Sequence, residues 1–166
     1  MTENWEYHSL YDLACFEGKR AYLSINPDLN YPGKYDANAK TIELRGDVEI
    51  QEAFPEEFIH FIGGLNDGRL NVEFEAKFIQ DIVNVRNSEG TMLRGAGEMY
   101  SDDYFNYVYD MSNLLYSLTI YDILGYMGEL SYFDFLEDWA ASQSSYEGDA
   151  YSSVPQLLNY LCDVHY

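Results

Sequence analysis

The stretch at residues 53–64, A-F-P-E-E-F-I-H-F-I-G-G, decides how this chain is read. Pro55 suits a first helical turn, where its missing N–H would have no partner in any case, and Gly63 can supply the left-handed residue that closes a helix. The pattern predicts a helix of about eight residues in which Phe58, Ile59, Phe61 and Ile62 are apolar. Glu56 and His60 lie four apart and project from one face of it. Two side chains at that spacing can hold one metal ion. The local alternative is that glutamates simply favour a helix start, and that His60, flanked by Phe and Ile, is a hydrogen-bonded, partly buried histidine.

Outward from this helix the patterning changes character. Upstream, R-A-Y-L-S-I-N (20–26) alternates as a strand does, the turn signals N-P-D-L-N-Y-P-G-K-Y-D-A-N follow, and a second strand is expected over 40–44. Residues 1–50 are thus expected to be mainly β, with W-E-Y-H-S-L-Y-D-L-A-C-F fitting either a strand or a helix. Downstream, Asn71 can cap a helix running to about residue 85 with Val72, Phe74, Phe78, Ile79, Ile82 and Val83 on its apolar face. Ser101 reads as the N-cap of a helix over 102–116, and Ser131, with Asp134 in the capping-box position, opens another over 131–141. Further helices are expected over 118–127 and from Pro155 to about residue 162. Two aromatic stripes, one around Tyr104 to Met111 and one around Tyr132 to Trp139, read as helix packing, with a ligand pocket as the alternative. The glycine-rich link 87–98 suits a flap over a cleft or a plain connection, and 142–153 reads as a loop. The fold class is α+β, one domain over 1–166, with a short N-terminal sheet followed by a mainly helical C-terminal two-thirds.

The run P-E-E-F-I-H (55–60) resembles the H-E-x-x-H helix of the zincin metallopeptidases, with Glu56 in place of the first histidine, Glu57 at the general-base position and His60 as the second histidine. G-K-Y-D-A-N-A-K-T-I-E-L (33–44) resembles the hairpin and edge strand that precede such helices. N-V-E-F-E-A-K-F (71–78) is similar to the E-x-E-A element of the second helix, where some zincins place a third, carboxylate ligand. That ligand would be Glu75, with Glu73 as its neighbour; the resemblance spans roughly residues 30–85. It implies a zincin-like core, a divalent metal with zinc as first choice, the ligands Glu56, His60 and Glu75, and Glu57 as catalytic base. The departure has a chemical consequence. Zinc hydrolases use imidazoles to hold an ion whose bound water is acidified to a pKa of about 7. Replacing one imidazole by Glu56 makes the site harder and more negative, and its water less acidic. The resemblance therefore implies a degenerate relative, weak or inactive as a peptidase, that acts through binding.

Charge supports a second reading. Twenty-nine acidic against nine basic residues give a formal net charge of −20, which repels nucleic-acid phosphates and anionic membranes. Cationic partners fit: a basic protein, divalent ions, or the DNA-binding groove of another protein. The alternative function is thus an acidic interaction or inhibitor protein, in its sharper form a mimic of DNA phosphates; a solvated acidic surface alone would carry the same charge. Hydrophobic residues at 47% and aromatics at 17% exclude disorder. Cys15 and Cys162 have no metal or redox spacing and read as reduced core residues. The chain shows no leader and no apolar run near the ~18 residues of a membrane span, so a cytoplasmic location is expected. Neither a phosphate-cradling glycine loop nor a nucleophile elbow is present, and the oligomeric state is left open.

Overall fold

The computed structural model describes residues 5–47, 50–63, 70–87, 101–125, 131–143 and 154–164. The order of elements is α1 (Trp5–Phe16), β1 (Tyr22–Ile25), β2 (Gly33–Asp36), β3 (Thr41–Leu44), α2 (Ile50–Gly63), α3 (Leu70–Arg86), α4 (Asp102–Leu114), α5 (Ile120–Leu124), α6 (Tyr132–Ser142) and α7 (Gln156–Asp163). A short 3-10 turn, Leu115–Ser117, follows α4. This is the expected α+β class, a small three-stranded sheet followed by helices. Among the described residues, no helix is long and apolar enough to cross a membrane. The expected flap at 87–98 and loop at 142–153 lie almost wholly outside the described residues.

Contacts divide the chain into two compact units, residues 7–67 and residues 1–6 with 68–166. In the first, the segment that fitted strand or helix is helical. Its C-terminus explains why: Gly18 takes φ +66°, Lys19 N–H reaches Ala14 O at 2.8 Å and Gly18 N–H reaches Cys15 O at 3.0 Å. Those two bonds satisfy carbonyls that the last helical turn would otherwise leave bare. Lys19 Nζ then donates to Ile62 O at the end of α2, where a cation suits the negative end of the helix dipole.

The sheet runs β1-β3-β2. β2 and β3 form the expected hairpin, antiparallel with Tyr35 opposite Ile42. Its turn is closed by Asp36 Oδ1, which accepts the N–H groups of Asn38 and Ala39, each at 2.9 Å, while Lys40 takes φ +51°. β1 pairs parallel to β3, with Leu23 opposite Ile42 and Ile25 opposite Leu44. Tyr35, Ile42 and Leu44 are buried on the face that packs against α2. There the ring of Tyr35 meets that of Phe61 edge-on at 5.7 Å. Gly33 is required at this contact, because a Cβ would lie 2.9 Å from Glu57 Cγ and 3.3 Å from Ala53 Cβ.

α2 corrects one expectation. The helix starts at Ile50 and has 14 residues, so Pro55 lies in its second turn and not its first. The helix forgoes the bond that an amide at Pro55 would give to the carbonyl of residue 51.

The second unit is built around α3, whose Phe74 and Phe78 are fully buried. Phe74 meets Tyr132 at 5.1 Å and Trp139 at 5.6 Å; Phe78 meets Tyr107 at 5.5 Å. On α4 the buried positions Tyr104, Tyr107, Val108 and Met111 follow the three-four spacing of one helical face, and on α6 Tyr132, Phe135, Leu136 and Trp139 do the same. Both aromatic stripes are packing surfaces.

The caps expected at Ser101 and Ser131 are present. Ser101 Oγ accepts Tyr104 N–H at 3.1 Å, and Ser131 and Asp134 form a reciprocal capping box. Thr119 and Asp122 form a second such box at the start of α5. At the far end of α3, Arg86 pairs with the buried carboxylate of Glu6, donates to Ser112 O at 2.9 Å through Nε, and lies 5.2 Å from the Trp5 ring.

Candidate functional site

The helix read first carries three of the four site residues. Glu56 and His60, one turn apart on α2, bring a carboxylate oxygen and an imidazole nitrogen within 4.8 Å of each other. His60 is buried and Glu56 half-buried. The spacing that placed them on one face is that of an ordinary α-helix, and the geometry is what the sequence predicted. An oxygen and a nitrogen at that separation can share one cation. Glu57 points elsewhere: its Cγ lies over Gly33 of β2, so its stem packs on the sheet.

Glu75, the fourth, is on α3 in the other unit. Its Oε1 accepts the backbone N–H of Leu157 at 2.7 Å and of Leu158 at 2.9 Å. These are the second and third amides of α7, whose N-cap residue Pro155 offers no side-chain cap. A carboxylate there satisfies two amides that the helix cannot, and complements the positive end of its dipole. The negative charge of Glu75 also adds to the elevation of the Tyr132 pKa, which is driven first by burial of the phenol.

Farther along α3 lies a buried polar pair that was not expected from the sequence. Asp81 is fully buried on α3, and Tyr104 Oη donates to Asp81 Oδ2 at 2.7 Å. Burial and then the neighbouring carboxylate hold the Tyr104 phenol well above its ordinary pKa. Gln80, 3% exposed, keeps its Oε1 away from solvent with no hydrogen-bond partner among the described residues. The signal was available in principle: Phe74, Phe78 and Asp81 fall on one helical stripe, which places a carboxylate among aromatic rings.

Opposite the buried stripes, the helical unit presents carboxylates. On α6 the exposed residues Asp134, Glu137 and Asp138 are spaced three and four apart, and on α4 Asp102 and Asp103 open the helix in solvent. Side chains at that spacing stand about 5–6 Å apart along one face. From residue 95 to the end the chain has 12 Asp and Glu and no Lys or Arg.

Compared with protein-family models, with curated proteins and with solved structures, the chain returns no significant match.

Proposed function

We propose that this is a non-catalytic interaction protein whose helical unit engages the basic face of a protein partner. One observation carries the reading: over residues 95–166 carboxylates have no Lys or Arg within the segment to offset them, and α4 and α6 turn theirs outward while their aromatic faces are buried. Such a surface raises the local concentration of cationic partners and accelerates encounter. A face shaped to bind DNA phosphates is one such partner, and the charge disfavours nucleic acid itself as the ligand.

The test is binding to an Arg-rich peptide and, separately, displacement of labelled duplex DNA from a basic DNA-binding protein, both by fluorescence anisotropy. Binding should weaken steeply with salt, and the double reversal Glu137→Lys/Asp138→Lys should weaken it further. Affinity unchanged at about 1 M salt, where the screening length is about 3 Å, sinks the electrostatic reading. Displacement of DNA identifies the phosphate-mimicking form.

A second reading rests on Glu56 and His60, whose ligand atoms lie within 4.8 Å of each other on α2. It is a zincin-like helix that binds a divalent cation through one carboxylate and one imidazole, with peptidase chemistry lost. Elemental analysis of protein purified without chelator, beside His60→Ala, tests it. About one metal per chain that disappears in the variant supports the site; none in either protein removes it.

A further inference from the structure

The unit spanning residues 7–67 contains a feature that neither reading uses. Tyr22 N–H donates to Lys40 O and Asn26 N–H to Leu44 O, each at 2.8 Å, so the even-numbered residues of β1 turn their amides toward β3. By the alternation of a parallel ladder, the N–H and C=O groups of Leu23 and Ile25 point to the opposite side. Among the described residues β1 is the edge of the sheet there. It lacks the usual protection of edges. Its four residues, Y-L-S-I, contain no charge and no proline, and Tyr22, Leu23 and Ile25 are 75%, 54% and 58% exposed.

A cavity of about 560 Å³ opens beside this edge. It lies between α1, β1 and α2 and is walled by Tyr11, Leu23, Ile42, Phe54, Phe58 and Phe61. Leu23 and Ile42 are register partners, so the cavity is on the sheet face that α2 covers farther in. A strand added along β1 would carry every second side chain onto that face, the one opposite Leu23 directly over the cavity. The rim is cationic: Lys19 and Arg20 both line it, in a chain with only nine basic residues. Lys19 is paired with Glu17 at 2.6 Å, whereas Arg20 is exposed and has no ion pair among the described residues.

We propose that β1 and the adjoining cavity take up an extended peptide segment as a fourth strand, with one apolar side chain in the cavity and a carboxylate on Arg20. Edge amides supply main-chain bonds, the cavity supplies selectivity for alternate side chains, and the cation selects an acidic residue. Arg20 precedes Leu23 by three residues, about 10 Å in extended chain, which sets the separation between carboxylate and apolar side chain. A second copy of this chain is disfavoured as occupant, because two molecules of charge −20 repel each other far more strongly than one of them repels a short peptide with a single carboxylate on Arg20.

The probe is the labelled peptide acetyl-Glu-Thr-Thr-Phe-Thr-Thr-Glu-amide, read by anisotropy against the whole chain. Its two carboxylates serve either strand direction. Saturable binding is expected, weakened about tenfold or more by Arg20→Glu, by Glu-to-Gln in the peptide, and by N-methylation of the peptide's alternate amides. The methylated probe leaves the protein untouched, so the result does not depend on any variant folding. Equal affinity for the methylated probe overturns strand addition; indifference to both charge changes overturns the role of Arg20. No saturation by about 1 mM overturns the site. Binding of dodecanoate where the peptide shows none assigns the cavity to a lipid-like ligand instead. A concentration-dependent dimer that Leu23→Arg dissolves shows that the edge pairs with itself, which also overturns the proposal.

Discussion

The Glu75 carboxylate accepts the backbone N–H of Leu157 at 2.7 Å, closing the first turn of a helix that begins about eighty residues later in the chain. The same oxygen takes the Leu158 N–H. Side-chain N-caps removed by mutation cost about 0.5–2 kcal/mol. Glu75→Ala is therefore expected to destabilise the protein by about 1–2 kcal/mol in urea unfolding, and Glu75→Gln, which keeps an acceptor oxygen, by less. Equal stability of Glu75→Ala and wild type would show that α7 does not depend on this cap.

The pair Tyr104 and Asp81 offers a second measurement. Tyr104→Phe keeps the ring in its place between α3 and α6 but removes the donor that reaches Asp81 at 2.7 Å. Taking away one partner of a buried hydrogen bond to a carboxylate costs about 1–3 kcal/mol, so this variant should lose stability on that scale. The wild-type phenol, held above its ordinary pKa by burial and by Asp81, should resist ionisation in an alkaline absorbance titration until the helical unit opens.

The two cysteines should separate kinetically. Cys15 is exposed, whereas Cys162 is buried and its thiol is pushed up to about 12, first by desolvation and then by the charges of Asp163 and Asp122. Only the thiolate is nucleophilic. At pH 8 an aromatic disulfide reagent should modify one thiol per chain quickly and the second only when the protein is unfolded.

The capping boxes give a pH dependence of defined sign. Hydrogen bonds from Ser131 lower the Asp134 pKa, and those from Thr119 lower that of Asp122. A carboxyl whose folded pKa is depressed contributes stability above its unfolded value, about 3.9, and loses it as pH falls through the lower folded value. The stability difference between wild type and Asp134→Asn should thus be full at neutral pH and shrink as pH falls from the unfolded value through the lower folded one. At neutral pH, added salt should raise the unfolding midpoint of both, because it screens the self-repulsion of a chain carrying −20.

Several parts of this structure were legible in the chain itself, and they share a cause. The caps at Ser101 and Ser131 close bonds to residues three positions on. The β2-β3 hairpin is closed by Asp36 reaching Asn38 and Ala39. The placement of Glu56 and His60 on one face needs only helical periodicity. Where the structure departs from expectation, the local pattern admitted two solutions. Pro55 is acceptable at a first turn, but residues 50–54 extend the helix before it. W-E-Y-H-S-L-Y-D-L-A-C-F has apolar residues in both periods, and burial of Leu10 and Ala14 with the closure at Gly18 selects the helix.

By itself the sequence determined the class of fold, the helix carrying Glu56 and His60, the caps, and an acidic surface, because each depends on interactions spanning a few residues or on composition. Tertiary structure alone decided that β1 lies parallel to β3, that Glu75 caps α7, that Asp81 meets Tyr104, and that Arg20 rims an apolar cavity. Each of these pairs residues well separated in the chain, and which partner a side chain meets there depends on how whole elements pack, a choice that no local periodicity encodes.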